Sequence, residues 1–341
     1  MTLAIVLLAA GKGTRMNSKK QKILHDVGGK PMVQHVFEAA EAEGDLPPVL
    51  VVAPGETGVH DLFAERAEYV VQDEQLGTGH ATMVTRPFLE NRADQIIVTY
   101  GDMPLLKAET LRQLADKQVA SGSVIVMLSV LGETSSTFGR VVRGEDGGVL
   151  EIVEVAEARQ RPNTEELLNI RELNAGVYCF DAEFLWQNID QLPLRQARSG
   201  VEYYLTDMIE TAVSQERRVD AIITEDPDEC LGAGTRPELV NVEKAFRRRA
   251  NNKWLANGVT LVDPDSTFID QDVQIGQDTI IWPNTYIQGK TVVGEDCVIG
   301  PNTVLRDATI GNGATVEQAV VENAVVEAGT AVLQFSVIKD Q

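Results

Sequence analysis

The strongest constraint in this sequence is a six-residue repeat in its last quarter. Ile275, Ile281, Ile287, Val293, Ile299 and Leu305 recur every sixth position, and Thr279, Thr285, Thr291, Cys297 and Thr303 keep the same step two residues earlier in each unit. Gly276, Gly294 and Gly300 directly follow their aliphatic partners. An amphipathic helix repeats near 3.6 residues and a half-buried strand near 2, so neither explains a period of six. Short strands stacked into a parallel β-helix do, because each coil places one aliphatic residue per side into a shared core. The phase slips by one at Ile310, returns at Val316 and then becomes ragged. At roughly 18 residues per three-sided coil, the region is expected to form about three to four coils, a short solenoid that needs end protection or oligomerisation.

The preceding residues follow a different pattern. Residues 238–257 read as one helix with Leu239, Val242, Phe246 and Trp254 on a stripe and Gly258 as its stop. Before it, strand-like runs alternate with helical ones. Strands are expected over Leu3–Ala9, Val49–Ala53, Tyr69–Val71, Ile96–Tyr100 and Val124–Leu128, with helices over Pro31–Glu43 and Glu109–Ala120. This alternation predicts an α/β domain with a mainly parallel sheet. In such sheets ligands bind beyond the carboxyl ends of the strands, which directs attention to Gly11 and Asp102.

Charge narrows the partners. The 341 residues carry a formal net charge of -21, yet residues 1–35 hold six basic residues (Lys12, Arg15, Lys19, Lys20, Lys22, Lys30) against Asp26 alone. A chain this acidic is a poor general binder of nucleic acid or anionic membrane. The apolar run from Leu3 to Ala10 is too short to span a bilayer and has no basic segment before it. Cys179, Cys230 and Cys297 are odd in number and far apart, offering neither a disulfide framework nor a metal spacing. The expectation is a soluble, cytoplasmic protein. The four histidines form no nucleophile or metal constellation: His25 and His35 are expected to pack beside the basic loop, His80 to lie in a binding segment, and His60 to lack a partner.

The chemistry-bearing motif is Leu8-Ala9-Ala10-Gly11-Lys12-Gly13-Thr14-Arg15-Met16, directly after the first strand. Small residues let backbone N–H groups approach a phosphate chain, and Lys12, Arg15 and Lys22 can neutralise it. It is neither a Walker A loop nor a dinucleotide fingerprint, because the required Gly-Lys-Ser/Thr and third glycine are absent. Asp102, just past Ile96-Ile97-Val98-Thr99-Tyr100, can hold Mg²⁺ on nucleotide phosphates, or serve as a turn residue before Pro104.

These residues resemble the sugar-1-phosphate nucleotidyltransferases, and most closely the N-acetylglucosamine-1-phosphate uridylyltransferase half of the family's bifunctional enzymes. The resemblance continues through Gly29-Lys30-Pro31-Met32, Gln75-Leu76-Gly77-Thr78-Gly79-His80-Ala81, Tyr100-Gly101-Asp102-Met103-Pro104 and Phe138-Gly139-Arg140-Val141, then Ile152-Val153-Glu154, Leu173-Asn174-Ala175-Gly176 and Glu202-Tyr203-Tyr204-Leu205-Thr206-Asp207. It implies a Rossmann-like nucleotidyltransferase domain over 1–237, a linker helix over 238–258 and a short left-handed parallel β-helix over 259–341, assembled as a homotrimer. It implies that Leu8, Ala9, Ala10, Gly11, Gly13, Gln72, Gly77 and Thr78 contact the nucleotide. Tyr100, Gly101, Gly139, Glu154, Asn174 and Thr206 would bind sugar and phosphate, Asp102 would hold Mg²⁺, and Arg15 and Lys22 would be catalytic. The implied reaction is UTP plus N-acetylglucosamine 1-phosphate giving UDP-N-acetylglucosamine and pyrophosphate.

The sequence departs from the family pattern at three places. Gly234 stands where the family has an Asn as second metal ligand, Ala156 where it has a Lys, and Lys20-Gln21 where it has Leu-Pro before the catalytic Lys. The first two leave open another sugar 1-phosphate or dTTP as substrate, or a weakly catalytic UDP-sugar-binding homologue. The sequence also ends before the segments that build the family's acetyltransferase site, so that activity is not expected of the chain as given.

Overall fold

The computed structural model describes residues 1–133, 138–197 and 200–340. They form two compact units, one of residues 1–25 with 32–236 and one of residues 26–31 with 237–341. No helix among the described residues is long and apolar enough to cross a membrane.

The first unit is built on a nine-stranded sheet of β1 (Leu3–Leu8), β2 (Val49–Val52), β3 (Glu68–Val71), β4 (Gln95–Tyr100), β5 (Ile125–Leu131), β6 (Arg140–Arg143), β7 (Val149–Val153), β8 (Glu172–Asp181) and β9 (Val219–Ile223). The main order is β9-β5-β8-β4-β1-β2-β3, with β6 and β7 attached beside β8. β1 pairs in parallel with β4 and β2, β2 with β3, and β9 with β5, whereas β8 runs antiparallel to β4 and β5. The continuous apolar run of β1 has a simple cause. Ala4 and Val6 enter one core while Leu3, Ile5 and Leu7 enter the other, so neither face of the strand meets water. The helix expected from Pro31 begins at Met32, and the one expected over 109–120 runs Ala108–Ser121.

The second unit contains the helix Arg236–Ala256 and a three-faced left-handed parallel β-helix. Two faces have five strands and the third has four, slightly more than the expected three to four coils. The aliphatic repeat is the core: Ile281, Ile287, Ile299, Leu305, Val316 and Val321 are fully buried. Thr279, Thr285, Thr291 and Thr303 are buried too. Their hydroxyls donate to corner carbonyls, for example Thr279 Oγ1 to Gly294 O at 2.8 Å and Thr285 Oγ1 to Trp282 O at 2.7 Å. A threonine at this step therefore satisfies a backbone acceptor that no strand pairing reaches. The slip at Ile310 is also accounted for. Ile287 pairs with Leu305 eighteen residues on, Val293 with Ile310 seventeen on, and Ile310 with Val326 sixteen on. Corners lose residues while the strands stay in register, so the repeat blurs in the sequence but the core column continues.

Residues 26–31 are a small hairpin in this second unit. Asp26 pairs with Pro31 and Val27 with Lys30 around Gly28 and Gly29, both at positive φ. Gly28 N donates to Glu243 at 3.0 Å, Lys30 pairs with Asp272 at 2.8 Å, and a side chain at Gly28 would overlap the Phe246 ring. The first unit is thus not one unbroken stretch of chain.

Candidate active site

β1, β2, β3 and β4 are parallel, so their carboxyl ends lie at one edge of the sheet. Three loops meet there. Ala9 N donates to Val51 O at 2.8 Å, Gln72 N to Val52 O at 2.9 Å, and Gly101 N to Leu8 O at 3.1 Å. Leu8, Ala9, Gln72 and Gly101 are thereby tied to neighbouring strand ends by backbone geometry alone.

The small-residue loop is held from both sides. Gln21 Nε2 donates to Ala9 O at 3.0 Å and Gln75 Nε2 to Ala10 O at 2.6 Å. Neither role is visible in the sequence, where Gln75 is one residue of the Gln75–Ala81 segment and Gln21 only a departure from the family pattern. Gly11 is exposed, and a side chain there would meet nothing within 4 Å. Gly13 is different. Its φ is +58, and a Cβ would stand 2.5 Å from Lys22 Cβ. Glycine at that position lets the loop lie directly on the Lys22 stem.

Lys22 begins the short turn Lys22–Leu24, and its Nζ lies 2.5 Å from Asp102 Oδ2 with the two side chains 20% and 15% exposed. This pairing, across eighty residues, was not foreseen from sequence. Arg15 sits in the turn Thr14–Met16, anchored by buried Met16. Its side chain is exposed and is not joined to the Lys22–Asp102 pair by any contact among the described residues. Ala233 N donates to Asp102 O at 3.3 Å, so the segment containing Gly234 passes beside Asp102.

Gln72 is buried, and its Nε2 donates to Gly77 O at 3.1 Å and lies 3.2 Å from His80 Nδ1. Gly77 starts the helix Gly77–Met83 at φ +91, where a Cβ would strike Tyr203 O. Thr78 Oγ1 accepts from Leu205 N at 3.1 Å. Gln72, Gly77 and Thr78 are thus brought together with the segment that carries Thr206.

A second group gathers Gly139, Glu154 and Asn174. Asn174 N donates to Gly139 O at 2.9 Å, and a side chain at Gly139 would stand 2.9 Å from Glu154 Oε1. Asn174 Oδ1 accepts from Gly176 N and from the Tyr178 hydroxyl, both at 2.9 Å. The turn role open to Asn174 from sequence is therefore real, and it leaves the amide NH₂ as the group available to a ligand. Burial, with Glu157 nearby, raises the Glu154 carboxyl above its ordinary range, and the Arg140 guanidinium opposes that rise. Tyr100 joins the two groups: burial, then the Asp102 and Glu154 carboxylates, push its hydroxyl up to about 12. Glu154, Ala156, Tyr204 and Thr206 line one cavity of about 550 Å³. A second cavity of about 550 Å³, at Met1, Arg86, Asp94 and Asp181, lies at the opposite, amino-terminal edge of the parallel strands.

The remaining titratable groups play no part here. All three cysteines are buried and free, with burial raising the Cys179 and Cys230 thiols. His60 has a partner that its sequence context concealed, since its ring stacks on Tyr69 with centroids 4.5 Å apart. Among the described residues no three His, Cys, Asp or Glu side chains are grouped to hold a metal ion. The protein offers the lone Asp102 carboxylate, and that donor set fits Mg²⁺, which completes its shell with water and phosphate oxygens.

Comparison with known proteins agrees with this architecture. Residues 5–188 match the MobA-like NTP transferase domain, and residues 272–307 match the bacterial transferase hexapeptide of six repeats. The "Bifunctional protein GlmU" of Exiguobacterium sibiricum is 40% identical over 336 residues, 98% of this chain and 73% of the relative. The protein of the same name in Caldanaerobacter subterraneus subsp. tengcongensis is 40% identical over 339 residues, 99% of this chain and 72% of the relative. That of Bacillus velezensis is 39% identical over 321 residues, 94% of this chain and 69% of the relative. Identity of about 40% over nearly the whole chain, with the transferase domain and the hexapeptide repeat in the same chain, shows that it belongs to the GlmU family of sugar-1-phosphate nucleotidyltransferases.

Proposed function

We propose that the protein transfers a uridylyl group from UTP to N-acetylglucosamine 1-phosphate, releasing pyrophosphate. The observation that carries this reading is the convergence at one sheet edge of the small-residue loop, Gln72–Thr78 and the Lys22–Asp102 pair. The phosphate oxygen of the sugar 1-phosphate attacks the α-phosphorus in line, a new P–O bond forms, and the bond to pyrophosphate breaks. A phosphate monoester is already an anion, so no strong base is required, and the task left to the protein is positioning and charge neutralisation. Backbone N–H groups of residues 10–13 face the phosphates, with Arg15 and Lys22 balancing the charge that shifts to the leaving group. Gln72 and Gly77 bind the base. Glu154 and the Asn174 amide bind sugar hydroxyls, and Thr206 closes that pocket. Mg²⁺ held by Asp102 would supply further neutralisation of the triphosphate.

Pyrophosphate release from a panel of nucleotides and sugar 1-phosphates, with and without Mg²⁺, tests the assignment. UTP with the N-acetyl sugar is expected to be the best pair, and loss of turnover is expected in chelator. A different best pair overturns the substrate. Ala156 in the sugar cavity and Gly232–Thr235 beside Asp102 favour a second reading, in which the same reaction uses another sugar 1-phosphate or dTTP. The hexapeptide β-helix supports a homotrimer, to be checked by light scattering.

A further inference from the structure

Lys22 pairs with the carboxylate that would receive the metal. Lys22 Nζ stands 2.5 Å from Asp102 Oδ2, and both side chains are mostly withdrawn from water. The backbone on both sides positions the pair. The Lys22 stem is held against Gly13, where a Cβ would approach to 2.5 Å, and the Asp102 backbone is pinned through Asp102 O to Ala233 N and through Gly101 N to Leu8 O. Gly232, where a Cβ would lie 3.8 Å from Asp102 Oδ1, brings no side chain that could share the ion.

From this geometry we infer that Lys22 and the divalent cation compete for Asp102, so that the free protein excludes the cation and admits it only together with a nucleotide triphosphate. The inference rests on the reading of Asp102 as the metal residue. The physical argument is one of exchange. Taken alone, a cation entering at Asp102 must expel an ammonium from a close, part-buried ion pair and leave it without a counter-ion. A triphosphate removes that cost, because its oxygens accept the displaced ammonium and complete the shell of the cation. Lys22 moves from one anion to another, and Asp102 exchanges one cation for another. Coupling of this kind is reciprocal, so the cation must strengthen nucleotide binding by the same factor that the nucleotide strengthens cation binding.

The test measures binding rather than turnover. Mn²⁺ alone is titrated into the full chain and free Mn²⁺ is read by its electron paramagnetic resonance signal. The wild type is expected to bind weakly, and Lys22→Met and Lys22→Gln to bind about tenfold more tightly, within the range usual for coupled sites. Two substitutions guard against a variant that fails to fold, and each is accepted only if its thermal transition remains cooperative. Equal Mn²⁺ affinity in the wild type and both variants overturns the competition. Asp102→Asn separates this from failure of the underlying reading: if UTP affinity in that variant still rises with Mn²⁺ as in the wild type, Asp102 is not the metal residue and both statements fall. If Asp102→Asn abolishes that rise while Lys22→Met leaves free-protein affinity unchanged, only the competition is lost.

Discussion

In the first unit, four parallel strands end at one edge and continue into loops of unequal length, and those loops carry Gly13, Lys22, Gln72 and Asp102. In the second, strands of two to four residues pass to the next coil through short corners, and each strand pairs in parallel with its counterpart one coil on. Both units bury aliphatic columns between parallel strands. They differ in what happens at the strand ends. The β-helix spends its corners on itself: threonine hydroxyls cap corner carbonyls, and Asp278, Asn284, Asp296 and Asn302 take the positive φ the turns require. The sheet of the first unit leaves its strand ends to loops free to present N–H groups and charges outward. A repeating fold satisfies its own backbone and gains rigidity, whereas an open sheet edge leaves polar groups for a ligand.

The largest expected effect tests the β-helix half of this contrast. Ile299 is fully buried in the column between Ile281 and Val316. Ile299→Ala should cost about 2–5 kcal/mol, the usual range for a large-to-small change in a packed core. Hydrogen exchange should report the loss in peptides from the coils around residue 299, with turnover per folded molecule unchanged. Faster exchange in peptides from β1 and β4 would show that the units do not divide structure and chemistry as described.

The next effect tests the other half. Arg15→Ala and Lys22→Ala should each lose at least ~2 kcal/mol of transition-state stabilisation, as for removal of a donor aimed at developing charge. The melting temperature should fall little, because Arg15 is exposed and Lys22 contributes one ion pair. Near-normal turnover in either variant would remove that residue from the mechanism.

The same contrast explains what could be read in the sequence. The β-helix was legible because its periodicity is its structure, and even the slip at Ile310 is only a shortened corner above an intact column. β1 and β4 were legible as apolar runs buried on both faces. The site was legible in part. The glycine loop and Asp102 stood out because each directly follows such a run, whereas roles for Glu154, Asn174 and Gln72 came only through resemblance. The contacts that hold the site together left no local signal. Lys22 meets Asp102 across eighty residues, Gln75 reaches Ala10 across sixty-five, and Tyr69 supplies the stacking partner of His60. Such pairings follow from strand order and register, which no local pattern encodes.

Gln21 and Gln75 sharpen that point. Each donates one hydrogen bond to the backbone of the small-residue loop. Gln75→Leu should cost about 1 kcal/mol, the net worth of one such bond, and raise the nucleotide KM roughly fivefold with little change in kcat. A fall in kcat at constant KM would instead make Gln75 part of the reacting geometry.

The smallest effect compares one carboxyl from each unit, Glu154, which is exposed at the cavity, and Glu243, which is half-buried. Partial desolvation by the surrounding protein raises Glu154 in the first and Glu243 in the second above the ordinary carboxylate range. A group whose pKa is raised on folding contributes most to stability when protonated, and that contribution is lost as pH rises through its elevated pKa. Above its elevated pKa each carboxylate is charged at some cost, and replacing either with glutamine should raise the melting temperature there. The gain should shrink as the pH is lowered below the ordinary carboxylate range, where the native group is neutral too. The two should not gain equally. Glu243 accepts a hydrogen bond from Gly28 N at 3.0 Å and lies near Arg247, both of which favour its charged form. The Glu154 carboxylate accepts no hydrogen bond among the described residues, and the Arg140 guanidinium alone offsets its desolvation. Glu154→Gln should accordingly stabilise more than Glu243→Gln, while weakening sugar binding in a way that Glu243→Gln does not. That pairing of stability gained with binding lost is expected where a polar group is kept for a ligand rather than for the fold. Equal gains with unchanged sugar affinity would make Glu154 an ordinary structural carboxyl and remove it from the sugar site.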